Sequence, residues 1–152
     1  APRKSADKLV GGVRWLVRRA DFQAAAKGRR VNAPPFALQM RRRAPGETLS
    51  DAPRFGLTAT RKIGGAVERN RMKRRLRAAL RGLGGEAPGA AFGEAGHDYV
   101  VVLRREALAT PFETLLAQLT KALRKAHDPR PRAASGGKPG ARETVAPTRG
   151  EV

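Results

Sequence analysis

Between Arg61 and Arg81 the chain places nine lysines and arginines and a single acid, Glu68, around an apolar repeat. Such residues do little acid–base chemistry at neutral pH; they hold anions. Met72, Leu76, Ala79, Leu80 and Leu83 recur at i, i+4, i+7, i+8 and i+11, the spacing of one buried helix face over roughly residues 65–82. On the opposite arc Asn70, Lys73, Arg74, Arg77 and Arg81 recur at i, i+3, i+4, i+7 and i+11, flanked by Arg71 and Arg75. An ordinary amphipathic helix also turns a charged face to water. Here almost no acid is present for i,i+4 pairing, and like charges at that spacing cost stability. Phosphates filling the gaps would remove that cost, so the helix reads as a nucleic-acid contact.

Other chemistry-bearing residues are sparse. The thirteen carboxylates are scattered, with no close Asp/Glu cluster able to hold paired Mg²⁺ ions. His97, beside Asp98, opens a strand and reads as structural. His127 lies at a helix end, where a cationic side chain is favourable in any protein. There is no cysteine, and the two histidines stand far apart in the chain, which argues against a zinc site. Gly64-Gly65 before the basic helix could admit a phosphate to its N-terminus, but no P-loop Lys-Ser/Thr follows, and a plain turn is the simpler reading. Neither catalytic nor metal-ligating residues are therefore expected from this chain.

The elements that position the basic helix must come from 152 residues carrying a formal charge of +19. That length suits one domain with a modest core, and that charge asks for a polyanionic partner: nucleic acid first, an anionic membrane surface second. No run approaches the roughly 18–20 apolar residues that span a bilayer. The opening segment APRKSADKLVGGVRWLVRRA is too charged for a signal sequence. The absence of cysteine fits a cytoplasmic protein. Three segments read as weakly ordered: 43–53, with turn chemistry only; 82–96, rich in Gly and Ala around Phe92; and everything from Asp128 on, which is Pro, Gly and charge. The expected organisation is a flexible basic segment at 1–13, an ordered domain at 14–127 and a disordered tail at 128–152.

Within the domain the types alternate. ADFQAAAKG (20–28) reads as a short helix ended by Lys27 and Gly28. PFALQMR (35–41) and RFGLTATR (54–61) alternate as half-buried strands, joined as an antiparallel hairpin with a long loop, Pro34 and Pro35 marking a strand start or an edge. HDYVVVLR (97–104) is a β-branched run, expected to be central and buried on both faces. TPFETLLAQLTKALRKA (110–126) reads as a core helix with Thr110 as N-cap, Pro111 at its first position and Glu113 closing a capping box; Phe112, Leu115, Leu116, Leu119 and Leu123 form its apolar stripe.

These segments together resemble the protein subunit of bacterial ribonuclease P. The family signature, Gly-x-Ala-Val-x-Arg-Asn-Arg-x-Lys-Arg-x-x-Arg after a strand, stands here within FGLTATRKIGGAVERNRMKRRLR. RADFQAAAKG is similar to the family's Asp-Phe-Gln helix, and HDYVVVLRREA to its Asp-Tyr strand, so the resemblance covers about residues 14–126. It implies an α+β fold, a single αβββαβα sandwich with a mainly antiparallel sheet and a left-handed βαβ crossover, ribosomal-protein-S5-like; that handedness runs against the usual prior. It implies a role beside a catalytic RNA that removes the 5′ leader from precursor tRNA, with Mg²⁺ held mainly by that RNA, no membrane and no small-molecule substrate. The positions that would face the RNA subunit are Arg69, Asn70, Arg71, Lys73, Arg74 and Arg77, continued by Arg81. Those that would line the leader cleft are Phe22, Gln39, Thr58 and Lys62, with Thr60 and Arg61 beside them. An aromatic face there stacks a base while hydroxyl, amide and cationic groups take base edges and phosphates. Two family aromatics are replaced, by Ala26 and Gln39, and the 82–96 segment and the tail lie outside the pattern. The residues alone leave two alternatives: a noncatalytic ribosomal or other structural RNA-binding protein, and a metal-dependent nuclease, which the scattered carboxylates disfavour.

Overall fold

The computed structural model describes residues 7–10, 13–83 and 93–129. Six strands and three helices follow in order: β1 (Asp7–Val10), β2 (Val13–Leu16), α1 (Arg19–Ala26), β3 (Arg29–Ala33), β4 (Phe36–Arg42), β5 (Arg54–Thr58), α2 (Ala66–Leu83), β6 (His97–Leu103) and α3 (Phe112–Ala126). From α1 onward this is the expected αβββαβα sequence. It is preceded by a hairpin, β1–β2, where a flexible segment was expected. Residues 84–92 and 130–152, which hold most of the Gly/Ala-rich insertion and the tail, lie outside the described residues.

The strands form one sheet ordered β1-β2-β5-β6-β4-β3. β6 is central, as its unbroken β-branched run demands. It pairs antiparallel with β4 and parallel with β5, so β5–α2–β6 is a βαβ crossover. The antiparallel hairpin expected between β4 and β5 is therefore wrong: β6 inserts between them. The hairpin partner of β4 is β3, joined through Pro34 and Pro35 in a two-residue turn. β3 escapes sequence reading because RRVNA turns only Val31 and Ala33 inward and exposes Arg30 and Asn32 on an outer strand, where charge also discourages edge pairing.

The sheet is covered on both faces. On one, Met72, Leu76, Ala79 and Leu80 of α2 join Leu115, Leu119 and Leu123 of α3 over Phe36, Leu38, Phe55, Tyr99 and Val101. On the other, Phe22 and Ala25 of α1 pack with Leu16, Val100 and Val102. This second layer buries Ala37 and Gln39, so β4 is covered on both sides over Phe36–Gln39 rather than half-buried. The α3 capping box does not form. Pro111 is the N-cap without a side-chain bond, Thr110 Oγ1 donates to the Glu106 carbonyl instead, and Phe112 is exposed, so the buried stripe starts at Leu115. Residues 43–53 have no regular structure but are firmly tied: Arg43 donates to the Ser50 and Ala52 carbonyls, and Gly96 N–H donates to Asp51 O.

Candidate nucleic-acid interface

α2 owes its orientation to its apolar stripe: Met72, Leu76, Ala79 and Leu80 are buried, and the far arc must face out. Asn70, Arg71, Arg74, Arg77 and Arg81 are exposed, while Arg69 and Lys73 are half-buried. Among the described residues, none of these cations has a carboxylate within ion-pair distance. The Nε of Arg69 is buried without a hydrogen-bond partner among them. Arg75 behaves differently. Its guanidinium turns inward and donates to the carbonyls of Ala107, Leu108 and Thr110, bracing α2 against the turn before α3.

The start of α2 is closed rather than open to a ligand. Glu68 Oε1 accepts the Gly65 N–H at 3.2 Å, and Arg105 grips both carboxylate oxygens at 3.0 and 2.8 Å. The Arg105 hydrogen bonds, helped by the Gly65 amide, lower the Glu68 pKa to about 2. Gly64 sits at φ +153°, and a Cβ there would lie 2.5 Å from Glu68 Oε1. The Gly-Gly pair thus serves a turn and a carboxylate-capped helix, which is the plainer of the two sequence readings.

The residues matched to the leader cleft lie on the sheet's other face and at its edge. Cross-strand register pairs Gln39 with Val100 and Thr58 with Val102, which puts both on the face that α1 covers. The Phe22 ring rests on Gly56, where a Cβ would come within 2.5 Å of it. Gln39 is only 8 % exposed, so it belongs to the floor under α1 rather than to an open wall. Thr60, Arg61 and Lys62 are exposed and occupy the 3-10 turn Arg61–Ile63 and its approach, between β5 and α2. The basic helix and the α1 face therefore stand on opposite sides of the sheet, with Thr60–Lys62 at the link.

A buried ion cluster beneath α1, not anticipated from the sequence, fixes this arrangement. Asp98 is fully buried; Arg54 binds it bidentately at 2.7 and 2.7 Å, Arg43 donates at 2.6 Å and Arg41 at 3.2 Å. Arg54 and Arg41 also approach Asp21 of α1, at 3.6 and 3.7 Å. Burial alone would push the Asp98 carboxyl up, but the hydrogen bonds and charge of Arg54, then Arg43, hold it below its ordinary value. The available signal was register: Arg41 and Arg54 both stand directly opposite Asp98 on the neighbouring strands. Asp98 thereby ties α1 and the strands β4 and β5 to β6.

An α+β sheet protein with one helix face of cations that have no carboxylate partner among the described residues belongs to the class of RNA-binding proteins. The ribonuclease P family model matches residues 13–127. Over 121 residues the chain is 42% identical to a Ruegeria pomeroyi protein named ribonuclease P protein component, covering 79% of this chain and 91% of that one. A Brucella suis protein of the same name is 37% identical over 143 residues, covering 90% and 92%. The solved ribonuclease P protein of Thermotoga maritima aligns with TM-score 0.57 and 26% identity over 72% of this chain and 94% of its own. This chain belongs to the ribonuclease P family, as a protein component.

Proposed function

We propose that this chain grips two RNAs on its two faces. The exposed arc Asn70, Arg71, Arg74, Arg77 and Arg81, with Arg69 and Lys73 at its margin, holds phosphates of the catalytic ribonuclease P RNA. The α1 face and the Thr60–Lys62 link hold the single-stranded 5′ leader of precursor tRNA, with the Phe22 ring as a stacking platform. The observation that carries this reading is the arc itself, a helix face dense in cations and free of acids. Screening by these cations lets two polyanions approach each other.

Among the described residues, the carboxylates of the two proposed RNA faces, Asp21, Asp98 and Glu68, do not offer the several free oxygen donors that catalytic Mg²⁺ requires. Asp21 and Asp98 are neutralised by buried arginines, and Glu68 is held by Arg105. Mg²⁺ is accordingly assigned mainly to the RNA subunit, where it supplies the electrostatic activation of phosphodiester hydrolysis; the protein orients and binds. Among the described residues no helix is long and apolar enough to cross a membrane, and with an RNA partner the cytoplasm is the proposed compartment.

Binding measurements with the full chain and its RNA subunit test this. Precursor tRNA with a leader should bind the complex more tightly than mature tRNA, and that difference should vanish without the protein. Equal affinities for both tRNAs in the presence of protein would refute the leader assignment.

A further inference from the structure

The chain's only two histidines, 30 positions apart, meet in the fold. His97 opens β6 and His127 follows α3; their rings stand 4.8 Å apart at 83°. Glu94 completes a set in which one ligand atom from each residue lies within 4.8 Å of the others. The geometry points to a site here for a borderline divalent transition metal ion of the zinc class, bound by Glu94, His97 and His127. The expectation drawn from sequence, that the histidines lie too far apart for such a site, does not survive the fold.

Two features favour ligation over a chance cluster. Each ring has one nitrogen committed and one left over: His97 Nδ1 lies 3.0 Å from the Ala95 carbonyl, and His127 Nε2 contacts the Tyr99 hydroxyl. Ligating histidines use their second nitrogen in this way, which orients the ring. The Tyr99 hydroxyl also accepts the Glu94 N–H at 2.9 Å, so one phenol positions two of the three residues. Next, His127 Nδ1 already stands 3.3 Å from Glu94 Oε2. Two donors on a tetrahedral ion with bonds of roughly 2.0–2.1 Å are about 3.3 Å apart.

Glu94 and His127 also border a cavity of about 610 Å³ lined by Leu83, Thr120 and Leu123, which leaves room for water as a further ligand. Two nitrogens and one oxygen suit Zn²⁺ or Co²⁺ and not Mg²⁺, so the site is chemically separate from the ions that serve RNA. Arg29, tied to the Ala126 and Asp128 carbonyls, is a neighbouring positive charge that disfavours a cation. The Glu94 carboxylate is therefore needed to offset it. Bound metal would clip the segment before β6 to the end of α3.

The test uses the full chain without an affinity tag, freed of metal by chelation. Co²⁺ titration should give one equivalent of visible d–d absorption, Zn²⁺ should displace it, and excess Mg²⁺ should not. Glu94→Gln, His97→Ala and His127→Asn should each weaken Co²⁺ binding at least tenfold. Glu94 is exposed, so its variant separates ligand loss from unfolding. Absence of the Co²⁺ spectrum, displacement by Mg²⁺ as readily as by Zn²⁺, or wild-type binding by Glu94→Gln and a folded histidine variant would overturn the assignment.

Discussion

Replacing Asp98 by Asn separates architecture from chemistry. The carboxylate is fully buried and carries the bonds of Arg54, Arg43 and Arg41; Arg54 is itself fully buried. Asn keeps the shape but removes the charge, leaving guanidinium groups without their counter-ion. Breaking a buried pair from one side costs about 3–5 kcal/mol. Each kcal/mol moves Tm by roughly 4 °C at this size, so the midpoint should fall by about 12–20 °C. The difference should depend on pH. Because the folded Asp98 pKa lies below its unfolded value, its stabilisation is fully present above the unfolded value of about 3.9 and is lost as pH falls through the folded pKa. The wild-type and variant stabilities should therefore converge in acid. Urea titration across pH measures this. In parallel, single-turnover cleavage of precursor tRNA at saturating holoenzyme, at a temperature where the variant is folded, should match wild type. A variant as stable as wild type would refute the ion-cluster account. A folded, RNA-bound variant with its saturated rate abolished would refute the noncatalytic role of this residue.

Changing Lys73 and Arg77 together to Ala should weaken binding to the RNA subunit and flatten log K against log salt by about 0.7–0.9 per lost phosphate contact. Arg75→Ala should instead lower stability by about 1.5–3 kcal/mol, since charged donors to three carbonyls are lost, and leave the salt slope unchanged. Phe22→Ala should weaken precursor binding by about 5- to 150-fold, the worth of roughly 1–3 kcal/mol of stacking, with far less effect on saturated cleavage; a loss in the saturated rate alone would contradict the platform role. Ending the chain after Pro129 should preserve folding and RNA binding. Ending it after Ala126 should lower Tm, because His127 meets Tyr99 and the Asp128 carbonyl accepts Arg29.

The parts legible in the sequence were those whose determinants are local and periodic. α2 shows its period over eighteen residues, and β6 its unbroken β-branched run; both stand where expected. β3 was missed because an outer strand buries only two side chains, and β1–β2 because a charged four-residue strand resembles a tail. The hairpin error has the same root: adjacency in the chain suggested pairing between β4 and β5, whereas the central place went to the most apolar strand, which starts 61 positions after β4 does. The basic arc was visible because helical spacing alone collects it. The three arginines around Asp21 and Asp98, and the Glu94–His97–His127 set, are assembled by sheet register and by helix docking, which no local pattern encodes.

The central claim is that this chain serves an RNA catalyst and hydrolyses nothing itself. Precursor tRNA in Mg²⁺ with the protein alone, with the ribonuclease P RNA alone and with both measures it most directly. The account predicts no cleavage by the protein alone, weak cleavage by the RNA alone that rises at high Mg²⁺, and strong stimulation when both are present at low Mg²⁺. Leader removal by the protein without RNA, or no stimulation by a folded protein that binds both RNAs, would contradict it.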